Sequence, residues 1–243
     1  MIDTQDKYVF GRDQKESERI WLKDVSQLLE KTNTQCYYHG FDISADQFPK
    51  NPENIQLSVQ DITLPFPKEY WNRFDIVHVR LLVAALQESD YKAAVSNLSA
   101  ILRPGGFLQW EEIDEESYIS ADNPVIQEIR RCFAFSLKAE GKCFAASTKI
   151  YEECEAAGFL NIVRLGYSSK SKDDIRLDTE KRLAAIMESL YARLLLRSKQ
   201  VADETAALKQ AEELIEKHWR LCAEGNSPPL TLMRVVAQKP LDS

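Results

Sequence analysis

The chain carries short apolar runs separated by longer stretches whose apolar residues recur at helical spacing. The runs are rich in Val, Ile, Phe and Tyr, which favour strands in segments of this length. Six of them are predicted to be strands, at 36–41, 55–59, 74–79, 107–113, 159–167 and 230–237. The run at 74–79 is unbroken, which is typical of a strand buried on both faces of a parallel sheet.

Helices are predicted between these runs, at 13–31, 90–102, 123–140, 148–157 and, as one or two helices, at 179–224. Residues 81–86 are predicted to open a further helix. Pro104-Gly105-Gly106 stops the helix at 90–102, since glycine accepts left-handed backbone. This alternation predicts an α/β fold, a mostly parallel sheet with helices on both faces, whose last two strands are candidates for running antiparallel to the others.

The pattern also divides the chain into parts of one domain. We expect an N-terminal helical segment at 1–34, a core sheet at 35–169, a helical cap at 170–228, and a last strand with its tail at 229–243. With 243 residues, the chain is long enough to bury a substantial core.

Polar side chains follow three of the predicted strands at the point where each strand ends. Asp42 and Asp61 close the first two, and His78 and Arg80 stand near the end of the third. In an open parallel sheet, ligands bind beyond the carboxyl ends of the strands, and a carboxylate there accepts hydrogen bonds from ribose hydroxyls. Each residue also has a structural explanation: acids cap turns, histidines fill interiors and arginines pair with surface acids.

Two further acids, Glu111 and Glu112, follow Trp110 on the predicted strand at 107–113. Successive side chains of a strand point to opposite faces. We therefore expect one of these carboxylates to face the ligand cleft and the other to face solvent.

Composition disfavours several classes of function and of binding site. The chain has 31 basic and 38 acidic residues, a net charge of −7, which disfavours general binding to nucleic acid or to an anionic membrane. Its five cysteines form no CxxC pair, so neither a disulfide framework nor a zinc site is predicted, and no metal is expected. Without a signal peptide or a long apolar stretch, a soluble, cytoplasmic protein is expected.

The glycines are the most unusual feature. In dinucleotide-binding and adenosyl-binding folds, a strand and a glycine-rich turn precede the strand that ends in the ribose-binding acid. Here Gly11 is the only glycine before Gly40, and no GxG sequence precedes Asp42. The sequence thus contains the ribose-binding half of a nucleotide site but not the glycine-rich turn that forms the other half.

Several motifs in this order resemble one family. They are Gly40-Phe41-Asp42-Ile43-Ser44, Phe74-Asp75-Ile76-Val77-His78-Val79-Arg80 and Leu102-Arg103-Pro104-Gly105-Gly106-Phe107, with Tyr8-Val9-Phe10-Gly11 and Val235-Val236-Ala237-Gln238 near the two ends. Together they are similar to the class I S-adenosylmethionine-dependent methyltransferases of fungal secondary-metabolite clusters. The resemblance implies a Rossmann-like sheet and methyl transfer to the oxygen or nitrogen of a small-molecule metabolite.

The resemblance also implies roles for single residues. Asp42 would hold the cofactor ribose, Asp61 and Ile62 would flank the adenine, and His78 and Arg80 would lie near the mouth of the site. His78 is a candidate base. Pro104-Gly105-Gly106 would be a structural turn.

The chain departs from the family near its start. Arg19-Ile20-Trp21-Leu22 joins the N-terminal helix directly to the helix that normally follows the first strand and its GxGxG loop. The resemblance thus implies that this central strand and loop are missing, which predicts weakened cofactor binding. A non-catalytic methyltransferase-like protein assisting a pathway, or a truncated gene product, is the alternative; a dinucleotide oxidoreductase is a weaker one.

Overall fold

The computed structural model of the protein describes residues 36–48, 55–114, 123–169, 187–226 and 231–242. The predicted helix at 13–31, the junction at 19–22 and the segment 170–186 lie outside the described residues. The expected division of the domain therefore stays a prediction in its N-terminal part and in the first part of the cap.

The described strands match the predicted runs closely. They are β1 Tyr38–Asp42, β2 Ile55–Val59, β3 Phe74–Arg80, β4 Leu102–Asp114, β5 Leu160–Ser168 and β6 Thr231–Gln238. The described helices are α1 Asp90–Ile101, α2 Pro124–Ala139, α3 Ala146–Ala156, α4 at residues 187–197 and α5 Glu204–Ala223. Short 3₁₀ turns occupy Ala45–Gln47 and Lys68–Tyr70.

The prediction of a helix at 81–86 is wrong. These residues form turns, and Leu81 adopts a φ of 55°, in the left-handed region that a helix does not use. The carbonyl oxygen of Leu82 accepts hydrogen bonds from the N–H groups of Ala85 and Leu86, both at 2.9 Å, so the segment forms a single turn that does not continue as a helix.

The strands form two groups. β1 and β2 pair in parallel as a two-stranded sheet, and the other four have the order β3-β4-β6-β5. β3 and β4 are parallel, whereas β6 is antiparallel to both β4 and β5. The prediction that the last two strands run antiparallel to the others is therefore confirmed for β6 and wrong for β5, which has the same direction as β4. Within the described part of the chain no ladder joins the two sheets, and the resemblance places the first strand at this break. Its loss stays a prediction, because residues 1–35 are not described.

Aromatic rings join the small sheet to the start of β3. The ring of Phe74 lies 6.4 Å from the rings of Tyr37 and His39 and 6.1 Å from that of Phe41. These three residues alternate along β1 and so share one face. Phe41 also meets Phe66 edge-on at 5.1 Å. Packing of side chains thus holds β1 in place beside β3.

The main core lies on one face of the four-stranded sheet. Leu108, Trp110 and Val235 project from this face and are buried together with side chains of α1 and α3. The indole of Trp110 stacks on the ring of Tyr91 from α1, with ring centroids 5.7 Å apart. Burying large side chains of this kind contributes roughly 1.5–3 kcal/mol each, so this layer fixes the position of β3 and β4.

The opposite face of the four-stranded sheet, which we name the open face, is exposed near the starts of β3 and β4 in the described part of the chain. Ile76 of β3 is 66% exposed, and its register partner Phe107 is also exposed. The prediction that the run at 74–79 is buried on both faces is therefore wrong. The physical reason is that α1 and α3 pack on the face that carries Val77 and Val79, whereas the described helices leave Ile76 on the other face uncovered.

Pro104-Gly105-Gly106 lies in an irregularity of β4. The strand begins directly after α1, and its register with β3 shifts between the pairs Phe74–Leu102 and Ile76–Phe107. A Cβ atom on Gly106 would lie 2.9 Å from the carbonyl oxygen of Arg103 and 3.0 Å from that of Asp75. Only glycine fits this close approach of two backbones, so the role of the segment is structural, as the resemblance implies. The implied turn before the strand is wrong, because the segment lies within β4.

The helices α2, α4 and α5 pack together beyond the end of β4. Their cluster is formed by Ile126, Ile129, Met187, Leu214 and Ile215, and Ile113 of β4 packs against it. In the described part of the chain, no helix has the length and apolar character needed to cross a membrane. The same residues contain no group of three or more metal-ligating side chains.

Candidate functional site

Asp42 and Asp61 lie at the same edge of the two-stranded sheet. β1 and β2 run in parallel, with Asp42 opposite Val59. The N–H of Gln60 donates to the carbonyl oxygen of Asp42 at 2.8 Å, and Asp61 follows directly. The parallel pairing therefore brings the two acids together at the carboxyl ends of their strands, where open α/β sheets bind ligands.

Asp42 is exposed and only partly engaged. One carboxylate oxygen, Oδ1, accepts a hydrogen bond from the N–H of Ser44 at 3.0 Å, which shapes the turn after β1. This is the capping role that the sequence left open. It uses one lone pair of a group that can accept about four hydrogen bonds, so a ligand hydroxyl can be bound as well.

The carboxylate of Asp61 accepts more hydrogen bonds within its own turn than that of Asp42 does. Its Oδ1 accepts hydrogen bonds from the N–H and the hydroxyl of Thr63, at 2.8 and 2.7 Å. Ile62, between them, is half-buried against the main core, and its carbonyl oxygen accepts a bond from Nδ2 of Asn97 at 2.9 Å. The loop after β2 is thereby fixed to α1, with an apolar side chain and a carboxylate next to each other.

His78 and Arg80 lie on the open face of the four-stranded sheet. In the β3–β4 register they stand opposite Gln109 and Glu111. Nε2 of Gln109 lies 3.0 Å from Nδ1 of His78, so with the amide as donor Nδ1 is the acceptor. Nε of Arg80 lies 3.5 Å from Oε2 of Glu111. The alternation of side chains along two parallel strands produces this polar cluster.

Glu111 is the centre of the polar cluster. Although it is only 3% exposed, it binds guanidinium groups from two strands. Nε of Arg234, on β6, donates to Oε1 of Glu111 at 2.6 Å, and the guanidinium of Arg234 also lies 4.7 Å from the ring centroid of Tyr167 on β5. Charge-assisted bonds of this kind hold Arg80 and Arg234 in defined positions.

The electrostatics of the cluster keep His78 neutral. The pKa of His78 is lowered to about 4, chiefly by burial; the charge of Glu111 opposes this shift, and the charges of Arg80 and Arg234 add to it. At neutral pH the imidazole is therefore a hydrogen-bonding group and a weak base. The sequence proposed His78 as a base without this information.

Glu112, on the other face of β4, is fully buried. Its Oε1 accepts bonds from the N–H of Leu82 and from Nε1 of Trp110, both at 2.8 Å, and its Oε2 accepts from the N–H of Val83 at 3.2 Å. The expectation that one of the two acids faces solvent is wrong, because both are buried. Burial raises the pKa of Glu112 to about 7, although its three hydrogen bonds lower it.

Sequence reasoning missed this role of Glu112 and missed Gln109, Arg234 and Tyr167. Side chains alternate between the two faces along 107–112, so this alternation alone could have placed Gln109 and Glu111 on one face. The contacts to β5 and β6 depend on long-range pairing, which no local pattern contains.

The structure forms two separate groups from the predicted residues. Asp42, Asp61 and Ile62 belong to the small sheet, and His78 and Arg80 belong to the large one. Among the described residues, no hydrogen bond or ion pair joins Asp42 or Asp61 to His78 or Arg80. Their joint use in one site stays a prediction.

Sequence comparisons give partial matches to methyltransferases. No family model matches the chain. The methyltransferase grgD of Penicillium sp is 42% identical over 104 residues, which is 41% of this chain and 36% of the relative. The N-methyltransferase gliN of Aspergillus fumigatus is 35% identical over 95 residues, covering 38% and 32%. The chain thus spans about a third of the length of the curated relatives that it matches.

Solved structures match over a larger part of the chain. A phosphoethanolamine N-methyltransferase 2 from Haemonchus contortus, in complex with S-adenosylhomocysteine, aligns with a TM-score of 0.52 at 14% identity, over 88% of this chain and 46% of that one. A SAM-dependent methyltransferase from Methanosarcina mazei aligns with a TM-score of 0.51 at 11% identity, over 93% and 89%. The fold is that of a class I methyltransferase. Both of these curated relatives are fungal methyltransferases, as the motifs indicated.

Proposed function

We propose that the protein binds S-adenosylmethionine at the carboxyl edge of β1 and β2 and transfers its methyl group to a small metabolite. The observation that carries this proposal is the placement of Asp42 and Asp61 at one edge of a parallel strand pair, linked through Gln60. Relatives named N-methyltransferases favour a nitrogen acceptor, and an oxygen acceptor is the second possibility.

The described residues fit the adenosyl half of this cofactor. The free lone pairs of Asp42 suit the ribose hydroxyls, and Ile62 offers an apolar side chain to the adenine beside the carboxylate of Asp61. The methionine half has no equivalent support, because the chain contains no GxG sequence whose backbone N–H groups would face its charged end. The proposal therefore includes weak cofactor binding.

Methyl transfer requires mainly positioning from the protein, because the cofactor supplies the reactive group. The bound cofactor supplies a methyl group on a positively charged sulfur, which a nitrogen or oxygen lone pair attacks in line. The chain has to hold the acceptor in line and to exclude water, and positioning of this kind supplies much of the acceleration. Neutral His78 and the Arg80–Glu111 pair, on the open face of the large sheet, are the proposed groups that orient the acceptor.

The low pKa of His78 favours one kind of acceptor. A base with a pKa of about 4 removes a proton readily only from a strongly acidic group. A neutral amine attacks through its own lone pair and needs no base before the attack, whereas a free hydroxyl has to be deprotonated, which His78 does poorly. This supports a small molecule that accepts the methyl group on nitrogen. We also propose that the reaction takes place in the cytoplasm.

The experiment is an assay of methyl transfer in which an extract of fungal small metabolites supplies the acceptor. Purified protein with S-adenosylmethionine should form S-adenosylhomocysteine, measured by mass spectrometry, and Asp42→Asn should lower the rate at least tenfold. A folded wild-type protein that forms no product above the level of heat-treated protein would remove the catalytic proposal.

A non-catalytic function is the second candidate. The break between the two sheets and the absence of a GxG loop favour it. Such a protein would assist a biosynthetic pathway by holding an intermediate, and it would bind metabolites from the same extract with equal affinity in the presence and absence of S-adenosylhomocysteine. A sample without a cooperative thermal transition would instead indicate a truncated gene product.

A further inference from the structure

The helices α2 and α4 leave a cleft between them, outside the residues discussed so far. We name it the α2–α4 cleft. Its volume is about 240 Å³, and its walls are mainly apolar, formed by Phe135 and Ala139 from α2 and by Leu190 and Leu194 from α4. Charged groups at the cleft are Arg193, Arg197 and Glu140.

Helical spacing explains this arrangement. Leu190 and Leu194 are four residues apart on α4, and Arg193 and Arg197 are four residues apart beside them, so all four share one face. Phe135 and Ala139 have the same spacing on α2. The two helices thus line the cleft with an apolar stripe that carries two arginines along one side.

Arg193 has an unusual environment for a cation. The residue is only 9% exposed, and its buried Nε has no hydrogen-bond partner among the residues that the structure describes. No ion pair of Arg193 is found in that part of the chain either. A guanidinium keeps its charge under all ordinary conditions, and a buried charge without a partner carries a large desolvation cost. A bound anion at this position would offset that desolvation cost.

The acid at the cleft does not meet this need. A carboxylate oxygen of Glu140 lies 2.7 Å from an NH group of Arg197, so the two compensate each other at the rim. Arg193 then remains in this mainly apolar cleft as a positive charge for which the described residues provide no ion pair and whose buried Nε has no acceptor among them. A ligand that satisfies both features has an apolar body and a single negative charge.

We propose that the α2–α4 cleft binds a small apolar carboxylate, whose charged group pairs with Arg193 and whose body packs between Phe135, Ala139 and Leu194. A carboxylate suits a guanidinium because the two planar groups can form two parallel hydrogen bonds. An apolar cavity of about 150 Å³ holds a benzene molecule, so this volume accommodates one ring with a short substituent. The inference goes beyond the proposed methyl transfer and does not depend on it.

The experiment compares two probes that differ only in charge. 3-Phenylpropanoate and 3-phenylpropanamide are titrated separately into the full-length protein, and binding is followed by ligand-observed NMR up to about 10 mM, a range suited to weak sites. The variant Arg193→Gln removes the charge in the cleft. Arg131→Gln, on the exposed surface of α2, removes an equal charge outside it and is the matched control.

The expected result is a preference of roughly tenfold for the carboxylate in the wild type and in Arg131→Gln, and no preference in Arg193→Gln. Equal binding of the two probes, no saturable binding, or a preference that persists in Arg193→Gln would overturn the proposal. If Arg193→Gln gives no cooperative thermal transition, Ala139→Phe fills the cleft from the opposite wall. It should abolish binding of the carboxylate, and unchanged binding would equally overturn the proposal.

Discussion

The carboxylate of Glu112 accepts a hydrogen bond from the backbone N–H of Leu82 at 2.8 Å, and through it β4 holds the turn that follows β3. Val83 donates to the same carboxylate at 3.2 Å. The turn begins directly after Arg80, at the carboxyl end of the strand that carries His78. A buried acid thus fixes the backbone next to the polar cluster of the candidate site.

The buried acid predicts a stability that depends on pH. The ordinary pKa of a glutamate is 4.5, and burial raises that of Glu112 to about 7. Between these values the folded state keeps a proton that the unfolded state has released. The free energy of unfolding should therefore fall as the pH rises from about 4.5 to about 7, by up to about 3 kcal/mol, and then level off.

Urea unfolding at several pH values measures this dependence against Glu112→Gln. The variant cannot titrate at this position, so the difference in unfolding free energy between wild type and variant should change across that window. The amide NH₂ of glutamine also faces donor groups, which costs about 1–3 kcal/mol at low pH. Glu216→Gln, in an exposed pair with Arg220, is the control and should leave the pH dependence unchanged. A constant difference between wild type and Glu112→Gln would contradict the role given to Glu112.

Glu111 should control the titration of His78. Its charge is the one contribution that raises the pKa of His78, so Glu111→Gln should lower the midpoint below its value of about 4. The variant also leaves Arg234 and Arg80 without their shared acid. Because both arginines are partly exposed, we expect a loss of about 1–3 kcal/mol in unfolding free energy.

NMR titration of the histidine ring protons tests this relationship. The chain has three histidines, and His78→Gln identifies the resonance of His78. Glu128→Gln, which breaks a pair with Arg131 on α2, should leave the midpoint unchanged. A midpoint that rises in Glu111→Gln would show that the two side chains are not neighbours in solution.

Gly106 should tolerate no side chain. Alanine there would place a Cβ within 3.0 Å of two backbone oxygens, which separates β3 from β4. Gly141→Ala is the matched control, because that glycine has a φ of 69° but open space around it, so alanine costs only the left-handed backbone, about 1 kcal/mol. Thermal or urea unfolding should show a larger loss for Gly106→Ala by about 1–3 kcal/mol. Equal losses would mean that the close approach of the two strands relaxes without cost.

Most of the fold was accessible from the sequence, since local pattern decides it. The run at 55–59 is a strand with the predicted bounds, and the helix predicted at 90–102 ends one residue earlier, at Ile101. Alternation also placed polar side chains at the carboxyl ends of β1 and β3. These features depend on periodicity of two or 3.6 residues, which is written in the sequence.

Features that depend on distant partners could not be predicted. The apolar run at 74–79 is the same whether one or both faces of β3 are covered, so the exposure of Ile76 follows only from the face on which the helices pack. Likewise, the sequence around Glu112 does not reveal that Leu82 and Val83 are its partners, 30 and 29 residues away.

The most direct test of the account is calorimetric titration of 5′-methylthioadenosine and S-adenosylmethionine into wild type, Asp42→Asn and Asp75→Asn. The proposed site contacts the adenosyl half, so the two ligands should bind the wild type with affinities within about fivefold, and Asp42→Asn should weaken both at least tenfold. Asp75→Asn, at the opposite end of β3, removes an equal charge and should bind as the wild type does. Absence of binding by the folded wild type, or equal affinity in Asp42→Asn, would contradict an adenosyl site at the edge of β1 and β2.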